Sequence, residues 1–415
     1  MEKEKEYYGV HNKSGKFTPG KDKVYYAQAV YSDEEIDAVV DCLKKGWLGM
    51  GAITDEFEKK VASIVGKEYG LAVNSGSSAT LLAMKIANLP EGSEVITPAC
   101  TFSTTFSAIV LNNLVPVVCD SLLGNYNIDL TKLEEMISPK TKAVLVPHTM
   151  GNLNDMEYLS KFCKEHNLYL VEDSCDTIGG KFADKPAGAF GDVTTSSFYA
   201  SHHITAAGGG GMLCMSDPKL RKEAYAYREW GRAAMDDNED IENRFTNELT
   251  GVHYDRKFTY THFGFNLKAV EAMFAFGLVQ LKKLPEIIEL RKKYFESFKD
   301  FLKQYEEYLI LPEEHPKAES SWLAFPITIR DGAPFKRFDI IKFLEDHNIQ
   351  TRLLFAGNIL KHPGYRDVTH RVVGQLKNAD KIMDDSFVIG AHHGMTDEMV
   401  DYVKEVFTEF FKQYK

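Results

Sequence analysis

Residues 69–89 read YGLAVNSGSSATLLAMKIANL. An apolar run, Tyr69 to Asn74, is followed by one glycine and three serines, and then by apolar residues at helical spacing. The stretch is a buried strand, a tight turn and the start of a helix. The turn, Asn74-Ser75-Gly76-Ser77-Ser78, sits where backbone N–H groups and the positive end of a helix dipole face outward. That is a good place for a phosphate. Serine is also favoured at any helix N-cap, so the turn alone supports either reading.

Outward from this stretch the same alternation continues to about Met215. The runs EVITPA (94–99), VPVVCD (115–120), KAVLVPH (142–148), LYLVED (168–173) and GGMLCM (210–215) read as buried strands. Between them, DMEYLSKFCKEHN (155–167) is helical in period. Strands alternating with helices predict an α/β fold with a mostly parallel, helix-covered sheet and ligands at the carboxyl ends of the strands. Residues 217–231 read as helix and 232–262, with the acidic MDDNEDIEN, as a long irregular excursion. Long helices follow over 268–308. From Trp322 a strand (WLAFPITI) and two helices (335–348 and 396–412) predict a smaller α+β unit. The expected organisation is an N-terminal extension over 1–30, a large domain over 31–285 and a small C-terminal domain over 286–415.

With 415 residues, a large and a small domain are the natural prior. The net charge of −11 has no clustered basic run, which argues against a nucleic-acid surface. No apolar run is long enough to predict a membrane span, and the charged start MEKEKEYYGV lacks the apolar core of a signal peptide. Six cysteines without a CxxC pair are read as reduced thiols of a cytoplasmic protein.

Two further motifs carry chemistry. In Val171-Glu172-Asp173-Ser174-Cys175-Asp176 an acid ends a buried strand. It needs a cationic partner, such as a protonated pyridine nitrogen, unless it merely caps a loop. In Ser197-Phe198-Tyr199-Ala200-Ser201-His202-His203 a strand ends in serine, then two histidines, then the glycines 208–211. Adjacent strand residues point to opposite faces, and no HxxxH or Cys/His cluster completes a metal site, so no metal is expected. A general base is the sharper reading of the histidine pair, and two satisfied structural histidines the blander one.

The order of these motifs resembles the DegT/DnrJ/EryC1/StrS family of sugar aminotransferases, which are fold-type I enzymes dependent on pyridoxal phosphate (PLP). Gly46-Trp47-Leu48, Thr101-Phe102, His148 with Gly151-Asn152, Gly264-Phe265-Asn266-Leu267-Lys268 and Thr351-Arg352 to Asn358 extend the resemblance over about residues 30–410. The aminotransferases carry lysine where His202 stands. Histidine there resembles the nucleotide-sugar 3-dehydratase branch, and HTMGN, NSGSSA, HHIT, GFNLK and QTRLLFAGN resemble CDP-4-keto-6-deoxyglucose 3-dehydrase in particular. The resemblance implies an aspartate aminotransferase-like large domain and assigns roles by position. Gly76, Ser77 and Ser197 hold the cofactor phosphate, Phe102 stacks on the ring, Asp173 pairs with its nitrogen, and Asn266 reaches the phosphate of the other subunit of a homodimer. His148 and Arg352 are weaker candidates for the sugar nucleotide.

Imidazole is not a primary amine, so the resemblance implies non-covalent PLP or its amine form, PMP, with His202 as base. It implies loss of the C3 hydroxyl from a nucleotide-linked 4-keto-6-deoxyhexose, glutamate as amino donor, and a place in dideoxysugar and lipopolysaccharide O-antigen biosynthesis. The sequence departs from the CDP branch twice. That branch holds an iron–sulfur cluster on four cysteines. Here Cys175 matches the first, but Cys214 is the last cysteine of the chain, so no cluster is expected. Gly208 replaces a glutamate of the relatives. An aminotransferase using Lys268, or no lysine, and a non-catalytic sugar-nucleotide binder are the competing expectations.

Overall fold

The computed structural model describes residues 7–8, 17–233, 241–246 and 248–414. The acidic run inside the irregular excursion lies largely outside them. The main strands are β1 Tyr69–Val73, β2 Glu94–Pro98, β3 Val115–Cys119, β4 Thr141–Pro147, β5 Tyr169–Asp173, β6 Val193–Ser197, β7 Gly211–Met215, β8 Leu309–Ile310, β9 Phe325–Ile329, β10 Arg371–Val372 and β11 Ser386–Ile389. One eight-stranded sheet has the order β10-β3-β2-β4-β5-β6-β7-β1. It is parallel except for β7, which runs antiparallel to both β6 and β1. This is the α/β sheet predicted from the alternation of strands and helices. A three-stranded antiparallel sheet, β8-β9-β11, forms the smaller unit.

Apart from the short edge strand β10, the sheet is buried on both faces, which is why its strands are continuous apolar runs rather than alternating patterns. β6, VTTSS, is the exception. Its hydroxyls are buried, and Thr194 and Thr195 are accommodated by bonds to the Glu172 carbonyl and the Asp173 carboxylate of β5.

Three helices position the site: α1 Ala52–Ile64, α2 Gly76–Ile86 and α3 Glu271–Leu302. The 32-residue α3 replaces the several helices expected over 268–308. Its first half packs Leu281, Leu284 and Ile287 into a core with Phe57 and Phe198. Its second half packs Tyr294, Phe295, Phe298 and Leu302 into the core of the small unit. The domain border we propose at 285/286 therefore lies inside this helix, at Pro285. In the N-terminal extension Tyr7–Tyr8 pair with Tyr31–Ser32, while Val24 bridges Ile349 and Phe17 packs on Tyr402 of the small unit.

The start of α1 depends on one carboxylate. Buried Glu271 accepts N–H bonds from Gly51 at 2.7 Å, Ile53 at 2.8 Å and Thr54 at 3.3 Å, and it also accepts the Thr54 hydroxyl. This fixes α1 so that Phe57 meets the Phe198 ring at 4.9 Å, directly after Ser197. Glu271→Ala leaves these donors without a partner at a helix N-terminus, so it should lower stability by about 2–4 kcal/mol. Urea unfolding checks this, with the midpoint falling and the slope unchanged.

Candidate active site

The phosphate turn is built by close backbone approach. Ser75 caps α2 by accepting the Ser78 N–H at 3.1 Å, and the Ser78 hydroxyl donates to Asn74 Oδ1 at 2.6 Å. The first N–H groups of a helix have no intrahelical acceptor, so Gly76 and Ser77 present theirs outward. A Cβ on Gly76 would lie 2.6 Å from Ser197 Cβ and 2.9 Å from Cys175 Sγ. A Cβ on Gly211 would lie 2.2 Å from the Ser75 carbonyl oxygen. Gly210, at φ +93°, donates its N–H to the Asn74 carbonyl at 3.1 Å. Glycines are required at these positions because no side chain fits between the turn, β6 and β7.

Strand alternation separates the two acids that end β5. Glu172 points away from the turn, wholly buried, and accepts N–H bonds from Gly188 at 3.0 Å, Phe190 at 2.8 Å and Gly191 at 2.5 Å. Asp173 points to the turn side. It accepts the Thr105 hydroxyl at 2.8 Å on one oxygen and the Thr195 hydroxyl at 3.2 Å on the other. Phe102 stands just before a helix at 103–110, half exposed, with its ring against Phe355 at 5.8 Å.

The histidine pair lies in a turn after β6 and not on the strand, yet the two side chains diverge. His203 is buried, with Nε2 2.7 Å from the Ser321 carbonyl. His202 keeps some exposure. Its Nδ1 lies 3.3 Å from the Ser197 carbonyl and its Nε2 3.5 Å from Asp176 Oδ1. A carbonyl only accepts, so the proton of neutral His202 sits on Nδ1 and the lone pair on Nε2 faces Asp176. Burial, the larger cause, and Arg291 push His202 down to about 4, against the pull of the Ser197 carbonyl and Asp173. Burial first, then Asp173, push Asp176 up to about 7. At neutral pH His202 is thus an uncharged acceptor beside a carboxyl poised between its two forms.

The structure therefore gathers Gly76, Ser77, Ser197, Asp173 and His202 at the carboxyl ends of β1, β5 and β6. His148 is not on that surface: it is wholly buried, with Nε2 3.4 Å from Glu172 and Nδ1 held by Asn154 at 3.1 Å. Arg352 is exposed and lies 4.8 Å over the Tyr26 ring. Asn266 is exposed and is followed by Leu267, whose carbonyl accepts the Asn74 N–H of the same chain at 2.9 Å. Lys268 pairs with buried Glu229 at 2.9 Å. At Gly208 a side chain would meet nothing within 4 Å. Sequence reading missed Asp176, Thr105 and Thr195. The signal was the spacing Asp173-x-x-Asp176 and the hydroxyls of VTTSS.

A mostly parallel sheet with one antiparallel strand, a glycine–serine anion turn and a buried carboxylate at the end of its fifth strand define a PLP-dependent enzyme of fold type I. A model described as the DegT/DnrJ/EryC1/StrS aminotransferase family matches residues 30–408; the chain belongs to that family of PLP-dependent enzymes acting on sugar nucleotides. It is 38% identical over 408 residues to the lipopolysaccharide biosynthesis protein RfbH of Salmonella typhimurium, covering 95% of this chain and 93% of that protein. It is 35% identical over 416 residues to a dTDP-4-dehydro-2,6-dideoxy-D-glucose 3-dehydratase of Saccharopolyspora spinosa, covering 97% and 90%. The solved structure of Escherichia coli GDP-4-keto-6-deoxy-D-mannose-3-dehydratase with bound hydrated PLP superposes with a TM-score of 0.84 at 29% identity, covering 92% of this chain and 98% of that one. The relatives thus include 3-dehydratases, and among them also transaminases.

The two perturbed groups give opposite pH dependences of stability. Asp176 binds its proton more tightly folded than unfolded, so its contribution is full below about pH 4 and is lost as pH rises through 7. His202 binds its proton less tightly folded, so its contribution is full above about pH 6.5 and is lost as pH falls through 4. Asp176→Asn removes only the first. Relative to the native chain, cofactor-free Asp176→Asn should gain about 2–3 kcal/mol more at pH 8 than at pH 5. Urea unfolding at the two pH values measures the difference, and an equal effect at both contradicts the assignment.

Proposed function

We propose that the chain is a PLP/PMP-dependent 3-dehydratase that removes the C3 hydroxyl of a nucleotide-linked 4-keto-6-deoxyhexose in dideoxysugar biosynthesis, as a cytoplasmic homodimer. The observation that carries this is His202: an imidazole fixed by the Ser197 carbonyl, with its lone pair on Nε2, stands where the family's aminotransferases carry lysine. The alternative lysine, Lys268, has its ammonium engaged with Glu229.

The residues present fit the cofactor. The missing Cβ of Gly76 lets the helix N-terminus pack directly against Ser197, so Gly76, Ser77 and Ser197 would hold the phosphate. Asp173, oriented by two threonine hydroxyls that donate to it, would pair with the ring nitrogen, and exposed Phe102 would cover the ring. When bound, the cofactor supplies a conjugated ring that withdraws electrons from the reacting carbon. His202 takes and returns a proton at Nε2, which burial keeps uncharged near neutral pH. Arg352, stacked on Tyr26 and exposed, is available to an anionic substrate. His148 instead holds Glu172 beneath the site. Because Cys175 has no companion cysteines in the chain beyond Cys214, the reading requires no iron–sulfur cluster and no external reductant, with glutamate as amino donor.

The test incubates the protein, PMP and glutamate with CDP-, GDP- and dTDP-linked 4-keto-6-deoxy sugars, without reductant, and follows loss of the 3-hydroxyl by mass spectrometry. One nucleotide sugar should be converted. His202→Asn should retain PMP binding and lose at least about 10³-fold in rate. Normal turnover by that variant refutes the base assignment, and an aminated product instead of a deoxygenated one supports the aminotransferase reading.

The shared site gives a separate test. Asn266→Arg and His202→Asn each leave both sites of a dimer defective. A mixed dimer gathers both lesions in one site, so re-annealed mixtures should recover about a quarter of native activity under random pairing. If heterodimers form and no activity returns, Asn266 serves its own chain.

A further inference from the structure

The mechanism above leaves one buried charge unused. Arg291 projects from the middle of α3 and is 1% exposed. Its guanidinium donates to the Leu323 carbonyl at 2.9 Å, to the Trp322 carbonyl at 3.4 Å and to the His202 carbonyl at 3.4 Å. All three acceptors are neutral, and no carboxylate lies within ion-pair distance of it among the described residues. Its Nε has no partner, nor do Nδ1 of His203 or the Ser321 hydroxyl on the neighbouring segments. A guanidinium in such a place is expensive to bury, and its charge is poorly screened.

We propose that Arg291 is a positioning residue for the reaction: it ties the His202 turn to the Trp322–Leu323 segment of the small unit and, by its uncompensated charge, keeps His202 in the neutral, proton-accepting form. The proposal rests on the reading of His202 as base. The groups facing His202 are Asp176 at Nε2, the Ser197 carbonyl at Nδ1, the Tyr199 ring at 6.0 Å, Asp173 at longer range, and Arg291 and His203 behind. The acids favour imidazolium and Arg291 opposes them. The same charge pulls Asp176 down against its burial and pushes buried His203 and His393 further below the ordinary histidine range. Burial is the larger cause in each case, and Arg291 is, among the described residues, the one cation that acts on all of them; its planar fork also fills three carbonyls, which a lysine ammonium would not do in the same geometry.

The experiment follows the His202 ring by NMR in full-length protein labelled at histidine Cε1, assigned by its loss in His202→Asn. In the native chain His202 should remain neutral down to about pH 5. Arg291→Gln should raise its midpoint by about one unit, a tenfold gain in proton affinity, and Arg291→Lys should keep it low. A native midpoint near 6.5 overturns the proposal without any variant. So does an unmoved midpoint in folded Arg291→Gln. If Arg291→Gln does not fold, Arg291→Met, which keeps the apolar stem and removes the charge, takes its place under the same criterion: a raised midpoint supports the proposal and an unmoved one overturns it. Because the readout is a titration and not turnover, it can fail while His202→Asn still proves inactive, or succeed while His202 proves dispensable.

Discussion

The backbone of β7 meets the turn after β1 with no room for a side chain: Gly211 lies against the Ser75 carbonyl, and Gly76 lies against Ser197. Everything in the site follows from this contact. It sets β7 antiparallel between β6 and β1, so strands far apart in sequence end at one point. It also leaves the first N–H groups of α2 facing the space above Ser197, where an anion is stabilised by the helix dipole. A larger residue at either glycine would separate the anion turn from the turn that carries His202.

The second organising element is the division of labour at the end of β5. Two adjacent acids, both buried, have opposite surroundings. Glu172 is saturated by backbone N–H groups and a histidine, which together hold it below the usual carboxylate range despite burial. Asp173 is held by two hydroxyls and faces the cleft. Among the described residues no hydroxyl or backbone N–H donates to the neighbouring Asp176, and burial, then Asp173, drive it toward its neutral form. A short stretch thus supplies a fixed structural anion, a carboxyl turned toward the cleft, and a group that titrates near neutral pH.

Much of the fold was legible because the strands are buried on both faces and so read as continuous apolar runs. β1 through β5 and β7 could be placed from their continuous apolar runs. β6 was legible only by its end at Ser197, since VTTSS has a surface-strand composition and is buried because Thr194 and Thr195 find partners on β5. The helical period over 268–308 does not by itself mark 271–302 as one helix; packing on two cores carries it through Pro285, a strong local breaker. In the site, Gly76, Asp173, Ser197 and His202 were marked by turn chemistry and strand ends, which are local signals. Arg291 was not, because it reaches His202 only through the folded contact of α3 with the 322–323 segment. His148 shows the converse: a polar residue after a strand that packs inward instead of facing the cleft.

Pro285 lacks the N–H that would bond to the carbonyl four residues before it. The backbone ladder of α3 therefore loses a rung just where the helix passes from the core around Phe57 to the core around Phe325. Arg291 lies less than two turns beyond that break. The two units are joined by a rod whose weakest cross-section is written into its covalent chemistry, so bending strain between them concentrates at one residue. The hydrogen bonds that tie the His202 turn to the small unit sit on the far side of that joint, so any tilt of the smaller unit against the sheet would load them directly.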